Sequence, residues 1–269
     1  MGERLAGKVI VVVGGTGGLG LSAARACAAE GARVVAVGRK LEGVEQASAA
    51  LGEAGSAIAG DATDSATAER AIAHAVKEYG GCHGLYHVAG GSGRNMGDGP
   101  LHELTDEGLD ATLRLNLSSL IYSNRAAVRH FMAAGQGGSV VNMASVLGFS
   151  PSPALFATHA YAAAKAGIVG FTKSCAAYYG PRDIRFNVLA PALVDTPMAT
   201  RAAGDVRIMR YIASKQPLDG GRIGRPEDAD DAAVLLLSDG GRFITGQVLA
   251  VDGGWCVSEG QYAGGPPPW

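Results

Sequence analysis

Residues 8–21 read KVIVVVGGTGGLGL, an unbroken apolar run, a glycine-rich turn and the opening of a helical pattern. A strand with no polar alternation suits a sheet covered on both faces, so the run over 8–14 predicts a central parallel strand. Gly14, Gly18 and Gly20 follow it with a G-x-x-x-G-x-G spacing, and Thr16, Gly17 and Leu19 fill the turn between them. Glycines at a strand-to-helix junction let the chain turn tightly and bring backbone N–H groups close to a pyrophosphate, which the positive end of the helix attracts. In a chain with 41 glycines the pattern alone decides little. Its position between a strand and a helix is what points to a dinucleotide site.

The rest of the chain repeats this alternation. Strand patterns fall at 33–38, 56–60, 84–90, 138–144, 184–190 and 246–254. Helical patterns lie between them, ending at Gly31 and then covering about 40–51, 64–79, 106–133, 160–178 and a stretch after RPEDAD. Seven strands with intervening helices predict an α/β fold, a Rossmann-type doubly wound three-layer α/β/α sandwich on a seven-stranded parallel sheet. No linker interrupts the pattern, so residues 1–254 read as one domain. The segment 255–269, WCVSEGQYAGGPPPW, cannot continue a helix through three prolines. It is expected to be a poorly ordered terminus, or else a tail packed on a neighbouring subunit through Trp269.

Composition removes several functions. A net charge of -2 provides no basic stripe for nucleic acid. No apolar run is long enough for a membrane span, and MGERLAGKVI enters the first strand without a signal-peptide core, so a cytoplasmic protein is expected. The four cysteines are scattered and no metal site is expected, because His83 and His87 would stand about 13 Å apart on a strand.

Arg39 and Lys40 follow Gly38 at the end of the second strand, where an NAD site would place a carboxylate. A guanidinium there suits a 2′-phosphate, which favours NADP(H), with NAD(H) as the alternative; both cations also read as a solvated helix start. Asp61 and Ala62, after the third strand, are placed to meet adenine, and Asp64 or Thr63 to cap the following helix.

Tyr161 and Lys165 stand four apart in an alanine-rich helix, a spacing that puts them on one face. Alone the pair is ordinary. Beside the glycine loop, Ser145 at the end of the fifth strand and Asn116 in the long helix, it takes on chemical meaning. The motifs GGTGGLG, AGDATD, HVAG, YAAAK, RFNVLAPALVDTPM and ITGQVLAVDGG, with Asn116 and Ser145, resemble the short-chain dehydrogenase/reductase family over nearly the whole chain. The resemblance implies hydride exchange between a nicotinamide and a carbonyl carbon. Tyr161 would be the general acid/base, Lys165 would lower its pKa and hold the nicotinamide ribose, Ser145 would bind the substrate oxygen, and Asn116 would hold a water that relays protons to Lys165. It also places Ala89, Gly90 and Gly91 along the cofactor, and Pro191, Val194 and Thr196 by the nicotinamide.

Four departures from the family pattern stand out. Val13 replaces a threonine, His87-Val88 replaces Asn-Asn, Ala192 replaces a glycine, and the interval from Ser145 to Tyr161 is lengthened. The lengthened loop, about 146–160, is expected to overhang the substrate. Leu147, Phe149, Leu155 and Phe156 from it, with Leu193 and Met198, form an expected apolar substrate wall, and His159 is a candidate contact, although a lone histidine is more often a hydrogen-bonded structural residue. Residues 194–225 are expected to form a mobile lid with Arg201, Arg207, Arg210 and Lys215 on a solvated face.

The expected activity is interconversion of a ketone and a secondary alcohol on a small, mostly apolar molecule. One rival is reduction of a 3-oxoacyl thioester on an acyl carrier protein, docked through Arg129, Arg182 and the lid arginines. Another is a nucleotide-binding scaffold without turnover, against which the complete set of Asn116, Ser145, Tyr161 and Lys165 argues. The resemblance also suggests a homotetramer or homodimer.

Overall fold

The computed structural model describes residues 2–260. Seven strands, β1 (Val9–Val13), β2 (Arg33–Gly38), β3 (Gly55–Ala59), β4 (Gly84–His87), β5 (Gly138–Met143), β6 (Ile184–Pro191) and β7 (Val248–Val251), form one sheet in the order 3-2-1-4-5-6-7. Every pairing is parallel. The helices are α1 (Gly18–Ala29), α2 (Leu41–Leu51), α3 (Thr67–Tyr79), α4 (Asp106–Leu113), α5 (Ser119–Ala134), α6 (His159–Tyr179), α7 (Thr200–Ala203), α8 (Val206–Lys215) and α9 (Asp230–Leu237).

The absence of alternation in β1 has a direct structural outcome. Val9, Val11 and Val13 join a core with residues of α3, α5 and α6, while Ile10 and Val12 join one with residues of α1, α2 and α9. Successive side chains of a strand point to opposite faces, so each valine is buried whichever way it points. Burial of each contributes roughly 1.5–3 kcal/mol.

The expected helix over 106–133 is one continuous rod with a fault in it. Between α4 and α5 lies a π-helical turn, Arg114–Ser118, with the buried Asn116 inside. Such turns are uncommon and concentrate at functional sites. Neighbouring β1 and β4 send their connections to opposite sides of the sheet, so their C-terminal ends open a crevice.

Part of the tail is ordered core. Trp255 is 1% exposed, lies edge-to-face with Phe156 and Tyr211, and donates its indole N–H to the Ser150 carbonyl at 3.1 Å. Its size and single donor suit it to bracing the loop that follows the 3-10 turn Val146–Gly148. The expectation of a poorly ordered terminus is thus overturned for residues 255–260. Trp269 lies outside the described residues.

Candidate active site

Above the β1–β4 crevice runs a cleft of about 680 Å³, bounded by the glycine loop, the ends of β2, β4, β5 and β6, and the face of α6. The glycine loop is built by close approach. Gly14 has φ +87°, and a Cβ there would lie 2.5 Å from the Ala89 nitrogen. Only glycine lets the loop pass so near the end of β4. A Cβ on Gly20 would collide with the Gly14 carbonyl, so this glycine brings α1 against the loop. At Gly17 an added Cβ would meet nothing within 4 Å, and no side chain caps α1. That open space in front of uncapped helix N–H groups fits a pyrophosphate. Across it stands Thr196, whose methyl group would lie 3.3 Å from a Cβ on Gly18.

At the far end of β2, Gly38 packs directly on the Thr16 side chain, and Arg39 and Lys40 line the cleft as exposed cations. Glu42 and Gln46 line the same end, with Gln46 Nε2 donating to Glu42 Oε1 at 3.2 Å. The sequence reading missed Glu42, because it lies on the first turn of α2 rather than at the strand end. Asp61 and Ala62 also line this end. The Asp61 carboxylate accepts from the Thr63 backbone N–H and hydroxyl, both at 2.8 Å, and those bonds hold it below the usual carboxylate range. The cap of α3 departs from expectation. Its N-cap residue is Ala66, and Asp64 acts one step earlier by accepting from the Ala66 N–H.

The structure brings Ser145, Tyr161, Lys165 and Asn116 to one place. Lys165 is 3% exposed, its Nζ lies 5.5 Å from the Tyr161 ring centre, and it donates to the Met143 carbonyl at 3.0 Å. Burial lowers it from 10.5 to about 8. Burial also raises the Tyr161 phenol, with the Ser145 hydroxyl opposing the rise. This upward push runs opposite to the lowering expected from Lys165. Removing a phenol from water disfavours its anion, and here that effect dominates.

Asn116 acts on backbone. Its amide donates to Gly91 O at 3.0 Å and Thr112 O at 2.9 Å, while its oxygen accepts from Gly91 N at 3.1 Å. A Cβ on Gly90 would stand 2.7 Å from that oxygen and 3.4 Å from Lys165 Nζ, which shows how tightly the β4 loop, the π turn and α6 meet. His87 is fully buried, with Nδ1 3.0 Å from Ser123 Oγ and Nε2 3.1 Å from Ala89 O. Desolvation, then the Lys165 charge, push it from 6.5 to about 3. It is a neutral brace beneath the cleft.

One positioning group escaped the sequence reading. Asp98 is 4% exposed, and its carboxylate accepts from the backbone N–H groups of Ala160 and Tyr161 at 3.0 and 2.9 Å. The N-cap residue of α6, Thr158, makes no capping bond of its own. A residue more than sixty positions away in sequence thus caps the helix that carries Tyr161, which no local pattern could reveal.

The family model described as "Enoyl-(Acyl carrier protein) reductase" matches residues 14–256. A cis-4-hydroxycyclohexanecarboxylate dehydrogenase of Sinomonas cyclohexanicum is 36% identical over 258 residues, covering 95% of this chain and 99% of that protein. Momilactone A synthase of Oryza sativa subsp. japonica is 35% identical over 263 residues, covering 97% and 94%. A short-chain type dehydrogenase/reductase from Mycobacterium ulcerans superposes with a TM-score of 0.86 at 29% identity, covering 94% and 91%. The chain belongs to the short-chain dehydrogenase/reductase family. It is an NAD(P)-dependent oxidoreductase. No helix among the described residues is long and apolar enough to cross a membrane, and they hold no group of metal-ligating side chains.

In this short-chain dehydrogenase/reductase the substrate end of the cleft differs from expectation. Leu147, Phe156, Leu193 and Met198 line the cleft, joined by Trp255 and Thr158. Phe149, Leu155 and His159 do not line it. Phe149 points to solvent at 47% exposure, Leu155 packs into the cluster around Trp255, and His159 is exposed at the start of α6. The lengthened loop spends its apolar groups on Trp255, a partner invisible to a reading that put the tail aside. Lys215 also departs from the solvated face assigned to it, since it is 9% exposed and its Nζ lies 5.7 Å from the Trp255 ring. Its neighbour Gln216 bonds both the N–H and the carbonyl of Leu193, at 3.0 and 3.1 Å, tying the end of α8 to the cleft wall. Arg94 and Arg201 line the cleft as well.

Proposed function

We propose that this enzyme interconverts a secondary alcohol and a ketone with a preference for NADP(H). The observation that carries the reading is the convergence of the Ser145 hydroxyl, the Tyr161 phenol and the Lys165 ammonium on one end of a cleft whose other end is a glycine cradle. When bound, the nicotinamide would accept or supply the hydride. Gly14, Thr16, Gly17, Gly18, Leu19 and Gly20 would hold the pyrophosphate, and Asp61 and Ala62 the adenine. Pro191, Val194 and Thr196 would border the nicotinamide, with Lys165 on its ribose.

Ser145 would hold the substrate oxygen through its hydroxyl, where charge develops as the carbon is reduced. Tyr161 would give that oxygen its proton in reduction and take it back in oxidation. A phenol whose pKa is raised by burial stays protonated at neutral pH, which readies it as an acid. Oxidation needs the phenolate, so its rate should climb through the alkaline range. Asn116 would shape the proton path by fixing Gly91 and the π turn beside Lys165. The 194–225 segment would close over the substrate, hinged on the Gln216–Leu193 bonds.

Arg39 and Lys40 at the end of β2 support the NADP(H) preference, as charge-assisted hydrogen bonds to a 2′-phosphate are about twice as strong as neutral ones. One relative's printed activity is dehydrogenation of cis-4-hydroxycyclohexanecarboxylate, and a ring fits walls formed by Leu147, Phe156, Leu193 and Trp255. We therefore favour a cyclic alcohol or ketone over a thioester on a carrier protein. The test is a panel of cyclic and acyclic alcohols and ketones, followed by nicotinamide absorbance with each cofactor. Turnover of ring ketones with NADPH ahead of NADH is expected. Activity confined to acyl-carrier thioesters, or to NADH, would sink the reading.

A further inference from the structure

The substrate end of the cleft holds two positive charges that the chemistry above does not use. Arg94, in the 3-10 turn after β4, and Arg201, on α7, both line the cleft. Neither forms a salt bridge with any described residue. Arg94 spends one N–H on the Leu155 carbonyl at 3.4 Å, which leaves most of its donor fork unused among the described residues.

The carboxylates do not balance this charge. Those lining the cleft are Glu42 and Asp61, both at the adenine end. Asp98 lies near enough for its charge to favour that of Arg94, but it forms no salt bridge with it and instead accepts from the N–H groups of Ala160 and Tyr161. Half-buried beside a second guanidinium, Arg94 is disfavoured in its charged form, with burial the larger cause and the Arg201 charge the next. Two unpaired cations facing one apolar space repel each other unless an anion enters. The surrounding walls, Leu147, Phe156, Leu193 and Trp255, have no polar group to offer one.

We propose that Arg94 and Arg201 form a carboxylate-binding pair, so that the substrate is an alcohol or ketone bearing a carboxylate at the far side of a compact apolar body. This rests on the oxidoreductase reading of Tyr161 and Ser145 and adds the second anchor of the substrate. A guanidinium meets a carboxylate through two parallel hydrogen bonds, so the pair would fix the orientation of the molecule as well as hold it. The apolar body would lie against Phe156 and Trp255, with the reacting carbon turned toward Tyr161.

The test uses cyclohexanecarboxylate and its neutral isostere cyclohexanecarboxamide, titrated by calorimetry into the full-length protein saturated with NADPH. The carboxylate should bind at least about tenfold more tightly than the amide. Arg201→Ala and Arg94→Met should each bring that ratio to near one, and Arg201→Lys should restore part of it. NADPH titration by fluorescence should give the same midpoint in Arg201→Ala as in the parent. Equal binding of acid and amide, a ratio indifferent to the substitutions, or loss of NADPH binding in Arg201→Ala would overturn the assignment. If Arg94→Met fails to fold, Arg201, exposed on α7, decides the matter alone. The binding measurement does not require turnover. A panel with no active alcohol would therefore defeat the oxidoreductase reading while this result still stood or fell by itself.

Discussion

The two ends of the cleft are made of different material. The cofactor end is backbone: a Cβ on Gly14 would stand 2.5 Å from the Ala89 nitrogen, Gly17 faces open space, and Gly38 rests on Thr16. The substrate end is side chain: Phe156, Leu193, Met198, Arg94 and Arg201 come from four separate segments and are braced by Trp255. Backbone geometry tolerates few residue types, so the first end is narrowly specified. Side chains can be exchanged one at a time, so the second is free to vary within the same fold.

The sharpest separation of the two comes from Tyr161→Phe. It removes the proton donor and leaves the ring, so kcat should fall by about a thousandfold or more, within the range general acid catalysis supplies. NADPH affinity and melting temperature should stay close to the parent's. A fall in kcat of less than tenfold would detach Tyr161 from the chemistry. Gly14→Val attacks the other end. A branched side chain at φ +87° with backbone in its way should cost about 2–4 kcal/mol of stability and abolish NADPH binding, read by denaturant unfolding and fluorescence titration. Normal NADPH affinity in that variant would break the claim that this end is defined by backbone.

The same contrast explains what the sequence could reveal. The sheet, its parallel strands and the glycine cradle follow from local patterns, since β1, its turn and α1 lie within residues 9–29. Ser145, Asn116, Tyr161 and Lys165 were legible because the family resemblance tied distant residues together. Asp98 was not, because it caps α6 from across the fold. Neither was the inward turn of Trp255, which redirects Leu155 into its own cluster and leaves Phe149 outside. The π turn at Arg114–Ser118 also lacks a sequence signature, as its residues are ordinary helix formers apart from Asn116.

His87 stands where the family pattern has asparagine, directly beneath the cofactor end, and gives that end a pH dependence. Its folded pKa, about 3, lies below the ordinary 6.5. Between these values the unfolded chain binds a proton that the folded one refuses, so stability is lost as pH falls through that window, by up to about 1.4 kcal/mol per pH unit. Urea unfolding at pH 7, 6 and 5 should show this slope, and His87→Asn should flatten it. Parallel slopes in the two proteins would mean that the imidazole is charged, or exposed, in the folded state.

The smallest expected effect lies at the outer edge of the cofactor end, where backbone control gives way to exposed side chains. Arg39 and Glu42 line this edge with opposite charges, so their effects on a 2′-phosphate should have opposite signs. Arg39→Ala should weaken NADPH binding by about tenfold, the loss of one charge-assisted contact, and leave NADH nearly unchanged. Glu42→Gln should tighten NADPH by about two- to threefold, since both charges are solvated and screened. If Arg39→Ala weakens NADPH and NADH alike, Arg39 holds the ribose rather than the phosphate. The nucleotide preference would then rest on Lys40, whose ammonium offers a point charge without the fork.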